Sequence, residues 1–442
     1  MSNVVDEALL VYVESGANSN KFYRLRLHAD GSVHKLWGRV RDGAGLTGQT
    51  QVEQGGRSRF DKIFADKTKK GYTRVQVADT TGTNSAAATQ TQLRDTAAAS
   101  LAGGSTDKVV TTLVDRLVAA NKHNLMASTG GMISVDTSGQ ARTALGVITP
   151  TAVADARVLL ARIAREPEGP GRAPLTEQYL RLVPHAIPVS EGRGWAAGWL
   201  TRSTSLEQQQ ELLDALESSA SYADAARRAA VAAETGDTSV DEDFFRYRVH
   251  RLEEGTDEYE MVVGRFHTTK QSVHRDVSTY APKYVYRLED RRHGAEVDAA
   301  RARVRNVQKL WHGTGAANVL SILQKGLYVP PTRGTSIHIA GRMFGDGVYL
   351  SRSASKSLRY SAGLWGGGRS ASTFMFLTET AMGYEYRPKG NIGYGYRRPL
   401  ADENGKAFNS TNALPELVSG LRNHEAIVED PMQVSLSWLV EF

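Results

Sequence analysis

Five residues in one stretch have the chemistry to grip a flat polar ring: His312, Gly313, Tyr349, Ser357 and Tyr360. Aromatic faces stack on such a ring, while backbone N–H, C=O and a serine hydroxyl bind an attached carboxamide. Glycine has no Cβ, so at His312-Gly313 the backbone can approach a ligand closely. Taken singly, Tyr349 and Tyr360 read as core residues of a strand and a helix, and His312 as a structural histidine. Their concentration between Trp311 and Tyr360 points to a site.

The elements that must position them follow from local pattern. Trp311-His312-Gly313 closes an apolar strand, and Val319, Ile322 and Leu323 recur at helical spacing within Ala317–Lys325. Gly326 stops that helix as a C′ glycine. Gly345-Asp346-Gly347 allows a tight turn before the short apolar strand that carries Tyr349. Ser355-Lys356-Ser357 then starts the helix bearing Tyr360.

This stretch resembles the catalytic domain of DNA-dependent poly(ADP-ribose) polymerases, whose signature has His in His-Gly, Tyr in Gly-(Ile/Val)-Tyr and a late Glu. The late Glu corresponds to Glu425 in Asn423-His424-Glu425-Ala426-Ile427-Val428. The resemblance runs over 241–442. It implies that Gly313 and Ser357 hold the nicotinamide carboxamide of NAD, that Tyr349 and Tyr360 flank the ring, and that His312 bonds the adenosine ribose. It gives Glu425 the nicotinamide ribose and the orientation or deprotonation of an attacking hydroxyl. Lys356 and Asn318 match positions lining that site. The implied catalytic set is Glu425, His312 and Tyr349, with NAD as substrate and no metal. Glu429 and Asp430 are rivals to Glu425 by position, and the family spacing selects Glu425. Three departures stand out: Tyr328 where relatives often carry Arg, Ala426 where an aromatic is common, and the loop Pro331 to Arg342.

The C-terminal strand alternates, with Val434, Leu436, Trp438, Val440 and Phe442 on one face and Ser435, Ser437 and Glu441 on the other. Strands are also expected at Tyr259 to Phe266, Tyr284 to Leu288 and Phe374 to Thr378, with a charged helix from about Arg291 to Arg305. Runs of strands with few helices argue for an α+β domain rather than a doubly wound sheet. No Gly-rich dinucleotide or P-loop fingerprint appears where it should, between a strand and the helix that follows it, so NAD use would rest on a different fold.

The 442 residues suffice for several domains. The absence of cysteine excludes disulfides, thiol nucleophiles and cysteine zinc fingers. No membrane-length apolar run occurs, and Asp6 and Glu7 break any signal-peptide pattern at the start, so an intracellular protein is expected. Net charge is +6, and residues 1–75 hold 13 basic against 8 acidic residues. A basic excess gathered in one domain suits a polyanion partner or a solvated basic face.

Residues 1–76 read as a small strand-rich domain: a strand at Val11 to Val13, a turn at Asn18 to Asn20, the hairpin Phe22–His28 and Val33–Val40, then a helix with Phe60, Ile63 and Phe64. The return strand contains Trp37-Gly38-Arg39, and this segment resembles a WGR domain. The resemblance implies that Trp37 and Arg39 lie at a DNA end, with Arg24, Lys35 and Arg41 in support. Arg26 is a further candidate. A fork-shaped guanidinium suits phosphate, and an indole packs on exposed sugar or base.

Residues 77–106 are rich in Ala, Thr, Gly, Ser and Gln, the composition of a flexible linker. From 107 to 233 the pattern is helical: Val110, Leu113, Val114 and Leu117 share a face, Thr149-Pro150 caps a helix, and Ser205 with Gln208 forms a capping box. Leu145-Gly146 and Leu182-Val183-Pro184-His185 resemble the autoinhibitory helical domain of DNA-dependent family members, an all-α bundle. Residues 234–240 are a polar joint before the catalytic domain.

The expected whole is a multidomain α+β protein: a DNA-break-activated polymerase that modifies itself and nearby proteins in DNA repair. Its place would be the nucleus in a eukaryote or the nucleoid in a bacterium. The alternatives are a mono-ADP-ribosyltransferase and a DNA-binding scaffold with an inactive transferase fold. DNA bound at Trp37 and Arg39 would loosen the helical domain, so deleting residues 107–233 would raise activity without DNA.

Overall fold

The computed structural model describes residues 3–40, 46–74, 98, 100–117, 119, 133–135, 141–143, 146–202, 204, 206, 208–210, 212–214, 216–217, 245–327, 329, 343–345, 347–362, 373–392 and 398–442. Arg41, Leu145, Ser205, Tyr328, Asp346, the loop 331–342, the joint 234–240 and most of the expected linker lie outside them. The described residues fall into two compact units: 3–74 with 133–217, and 98–119 with 245–442.

In the first unit, strands β1 (Val4–Glu14), β2 (Ser19–His28), β3 (Ser32–Arg39), β4 (Gln49–Gln54) and β5 (Thr73–Arg74) form an antiparallel sheet in the order β4-β3-β2-β1-β5. Asn18, at φ 47°, turns the first hairpin, and Gly31, at φ 77°, turns the second. Both take up a left-handed backbone that Asn and Gly tolerate best. Helix α1 (Gly56–Lys69) lays Phe60 and Ile63 on one face against Tyr23, Leu25, Leu27 and Val33. The opposite face carries Leu9, Val11, Phe22 and Val40, against which Ala186 packs.

That contact comes from the helical part of the same unit. Helix α2 (Pro150–Arg165) starts at Thr149, whose hydroxyl accepts the Ala152 N–H at 3.2 Å, with Pro150 in the first turn. Helix α3 (Arg172–Leu182) follows. Tyr179, His185, Trp195 and Trp199 fill the space beside them. The expectation of an all-α bundle is corrected here: β6 (Ile133–Val135), β7 (Ala141–Thr143) and β8 (Gly146–Val147) form a three-stranded antiparallel sheet ahead of α2.

The expected boundary at 106/107 is also replaced. Leu101 and Ala102, inside the anticipated linker, are buried with Val110, Leu113, Val114 and Leu117 in the second unit, against Phe245, Tyr247 and Tyr286. Arg116 forks onto the buried Glu441 at 2.8 and 2.9 Å and donates to the Tyr286 hydroxyl at 2.8 Å. Burying a Val or Leu side chain contributes about 1.5–3 kcal/mol, which suffices to recruit a compositionally weak segment.

The rest of the second unit comprises β9 (Tyr247–Arg251), α4 (Asp257–Thr268), β10 (Tyr284–Asp290), α5 (Gly294–Val304), β11 (Val307–Gly313), α6 (Ala316–Lys325), β12 (Val348–Leu350), α7 (Ala354–Ser361), β13 (Phe374–Ala381), β14 (Glu385–Tyr386), β15 (Ser410–Ala413), β16 (Glu425–Val428) and β17 (Val434–Glu441). One antiparallel sheet runs β11-β13-β17-β10-β9 and a mixed sheet runs β12-β16-β15-β14, with β14 parallel to β15, so this unit is α+β.

Two expectations fail locally. Tyr259 to Phe266, anticipated as a strand, is part of α4: Thr256 caps it, Asp257, Glu258 and Glu260 line its first turn, and Val262 and Phe266 bury one face at i,i+4 spacing. Alternation along β17 is broken by a bulge opposite Leu377/Thr378. Leu436 thereby joins Leu439 in one core, while Trp438 and Val440 enter another.

Candidate active site

A backbone bridge joins the two sheets of the second unit beside the candidate residues. Trp311 on β11 and Ser351 just after β12 exchange backbone hydrogen bonds of 2.8 and 2.9 Å. This bridge brings His312 beside Tyr349, and the His312 Nδ1–H donates to the Tyr349 carbonyl at 2.9 Å. A carbonyl only accepts, so the proton is on Nδ1 and Nε2 is left as an acceptor. Burial holds the imidazole pKa below its ordinary value, favouring that neutral form.

Gly313 fits because nothing larger would. A Cβ there would lie 1.8 Å from the Ser357 carbonyl oxygen, so β11 and α7 meet backbone to backbone. Ser353 caps α7 by accepting the Lys356 N–H at 3.2 Å. The Ser357 hydroxyl donates to the Trp311 carbonyl at 3.2 Å, which places it one residue from His312. Asn318, in the first turn of α6, donates to the Thr314 hydroxyl at 3.1 Å.

The Tyr349 ring is held at its far end. Its hydroxyl donates to the Gly345 carbonyl at 2.8 Å and accepts the Phe344 N–H at 3.0 Å. Tyr360 is 39% exposed, with the Lys356 ammonium 6.0 Å from its ring centre.

Glu425 opens β16, which pairs with β12 through Leu350↔Ala426 and Tyr349↔Ile427. Its carboxylate forms an ion pair with the buried Lys356 of α7, whose ammonium also reaches the His424 carbonyl at 3.3 Å. Desolvation raises the Glu425 pKa, and Lys356 opposes that rise. The sequence singled out several residues that lie together in the fold: His312 with Tyr349, Gly313 with Ser357, and Lys356 with both Glu425 and Tyr360. It missed the polar residues behind Glu425, chiefly His424 and Asn412. A histidine directly preceding the selected glutamate was the available signal.

In the first unit the DNA-binding candidates are engaged within the protein. Trp37 pairs across the sheet with Tyr23 and stacks on its ring at 5.7 Å. The Arg39 guanidinium donates to the Asn18 carbonyl at 2.7 Å and the Ile187 carbonyl at 3.1 Å. Arg24 pairs with Glu7, and Lys35, only 7% exposed, pairs with Glu53.

Two family profiles match the chain: the WGR domain over residues 6–79 and the poly(ADP-ribose) polymerase catalytic domain over residues 256–391. The second unit therefore carries an ADP-ribosyltransferase catalytic domain, a class that takes NAD as its substrate. Among relatives, the poly(ADP-ribose) polymerase-like protein 100L of Invertebrate iridescent virus 6 is 31% identical over 137 residues, 30% of this chain and 68% of its own. Poly(ADP-ribose) polymerase 2-A of rice is 24% identical over 405 residues, 85% of this chain and 57% of its own. The mouse mono-ADP-ribosyltransferase PARP3 is 33% identical over 126 residues, covering 26% of this chain and 22% of its own. The chain belongs to the poly(ADP-ribose) polymerase family. Among the described residues no helix is long and apolar enough to cross a membrane.

Proposed function

We propose that this protein transfers ADP-ribose from NAD to protein acceptors, itself included, as a polymer, and that a DNA break bound by the WGR domain activates it. The observation that carries the reading is the pairing of Lys356 with Glu425 on elements tied to the His312–Tyr349 bond. The bond between nicotinamide and the ribose breaks, nicotinamide leaves, and the acceptor bonds to the ribose carbon through an oxocarbenium-like transition state. Gly313 and Ser357 hold the carboxamide, and Tyr349 and Tyr360 flank the ring. His312 accepts a hydroxyl of the adenosine ribose through Nε2, and Asn318 and Lys356 line the site. Glu425 binds the nicotinamide ribose and receives or orients the acceptor proton.

On the DNA side, Trp37 and Arg39 meet the break, with Arg24, Lys35 and Arg41 supporting, and the protein works in DNA repair wherever its host keeps its chromosome. Mono-transfer is the second reading, favoured by the likeness to the mouse mono-ADP-ribosyltransferase. The test is nicotinamide release by the full chain, with and without nicked or blunt-ended DNA, beside Glu425→Gln. Loss of a general base or ribose contact costs about 10²–10⁴-fold. DNA stimulation with polymer on a gel supports the reading, single-unit product selects mono-transfer, and no turnover leaves a scaffold.

A further inference from the structure

We propose that Asn412 and His424 act as a positioning relay that fixes the start of β16 and so sets Glu425 for transfer; the inference rests on Glu425 being the carboxylate of the proposed reaction. His424 is 8% exposed, and both of its ring nitrogens are engaged. The Arg352 N–H donates to Nδ1 at 3.1 Å, so Nδ1 carries no proton. Nε2 lies 2.9 Å from the Asn412 Oδ1. Asn412 cannot turn round, because its Nδ2 donates to the Glu385 carboxylate at 2.6 Å and a carboxylate only accepts. Both ends of the relay therefore demand the same neutral tautomer, with the proton on Nε2. Burial and the charges of Arg352 and Lys356 push the imidazole pKa down to about 3, which agrees.

The anchor is fixed in turn. Glu385 also accepts from Gln308 at 2.8 Å and from Asn306 at 3.2 Å, and the Asn306–Gln308 segment begins the strand β11 that ends in His312-Gly313. At the other end, the His424 carbonyl accepts from Ser351 Oγ at 2.8 Å and from Lys356 Nζ at 3.3 Å. The imidazole thus spans β15 and the end of β12, and its own carbonyl receives the lysine that pairs with the next residue, Glu425. A side chain locked from both sides transmits its position to the neighbouring carboxylate, and misplacement of about 1 Å costs about 10²-fold in rate.

The test is a double-mutant cycle on the full chain. Asn412→Leu keeps volume and removes both hydrogen bonds. It should lower kcat about tenfold while KM stays within about twofold, and the loss should vanish in the Glu425→Gln background, where residual nicotinamide release is compared. His424→Gln, which retains a donor toward Asn412, should recover part of what His424→Ala loses. An equal loss in both backgrounds, or a lowered melting temperature with kcat intact, overturns the relay. A ¹⁵N-detected imidazole spectrum reads the relay without activity: the Nε2–H form of His424 is expected in the wild type and lost or shifted in Asn412→Leu, and its absence from the wild type overturns the inference. Failure of the wild type to release nicotinamide would instead strike the transfer reaction itself.

Discussion

The two sets of functional candidates meet opposite fates in the fold. In the second unit, His312 of β11 bonds to Tyr349 of β12, and Lys356 of α7 pairs with Glu425 of β16. In the first unit, Arg24, Lys35 and Arg39 each spend their charge on a partner inside the protein. The difference lies in what the chemistry demands. A ring clamp needs close backbone approach and fixed side chains, and the sequence records that need as glycine and spaced aromatics. A cation needs only a counter-charge, which Glu7, Glu53 or a carbonyl can supply as well as phosphate can.

Four experiments test that contrast. The largest effect is expected from removing residues 107–233. This takes Val110, Leu113, Val114 and Leu117 out of the second unit's core, each worth about 1.5–3 kcal/mol, along with the Arg116 fork on Glu441. Calorimetry should show the second unit's transition lost, and activity should fall rather than rise. Gly313→Ala comes next. Its Cβ would meet the Ser357 carbonyl at 1.8 Å, so the backbone must shift; overpacking costs about 1–3 kcal/mol or more, and turnover should be abolished.

The third experiment concerns the first unit alone. Burial pushes the His185 pKa down to about 4. A depressed histidine contributes stability that is full above its unfolded pKa near 6.5 and is lost as pH falls through that value toward 4. The loss amounts to roughly 3 kcal/mol when complete. Protection factors of the α2 and α3 amides, taken relative to the intrinsic exchange rate at each pH, should therefore fall from pH 7 to pH 4 in the wild type, and much less in His185→Phe. The smallest effect is that of Arg39→Ala, which breaks the bonds to Asn18 and Ile187 at about 1.5–3 kcal/mol. A melt that falls by this amount with an unchanged salt slope for DNA binding makes Arg39 a structural tie. A slope shallower by about one ion at unchanged stability gives it to DNA.

Element by element, legibility followed the range of the forces involved. The Thr149 cap with Pro150, the Gly326 stop and the β2–β3 hairpin were readable because their causes lie within a few residues. Tyr259 to Phe266 was misread although its own neighbourhood held the answer, in the Thr256 cap and the acidic first turn. The alternation in β17 was a sound local pattern, interrupted at Ser437 by a bulge in its pairing with β13.

Residue type, spacing and turn glycines are local quantities, and they were enough to single out the candidate site residues and the WGR-type hairpin. Only the tertiary structure decided that residues 100–117 belong with the catalytic sheets, that Arg39 reaches Ile187, and that Asn412 and His424 stand behind Glu425. Burial and hydrogen-bond pairing act between residues far apart in the chain. Their energies depend on which surfaces meet, and composition does not carry that information.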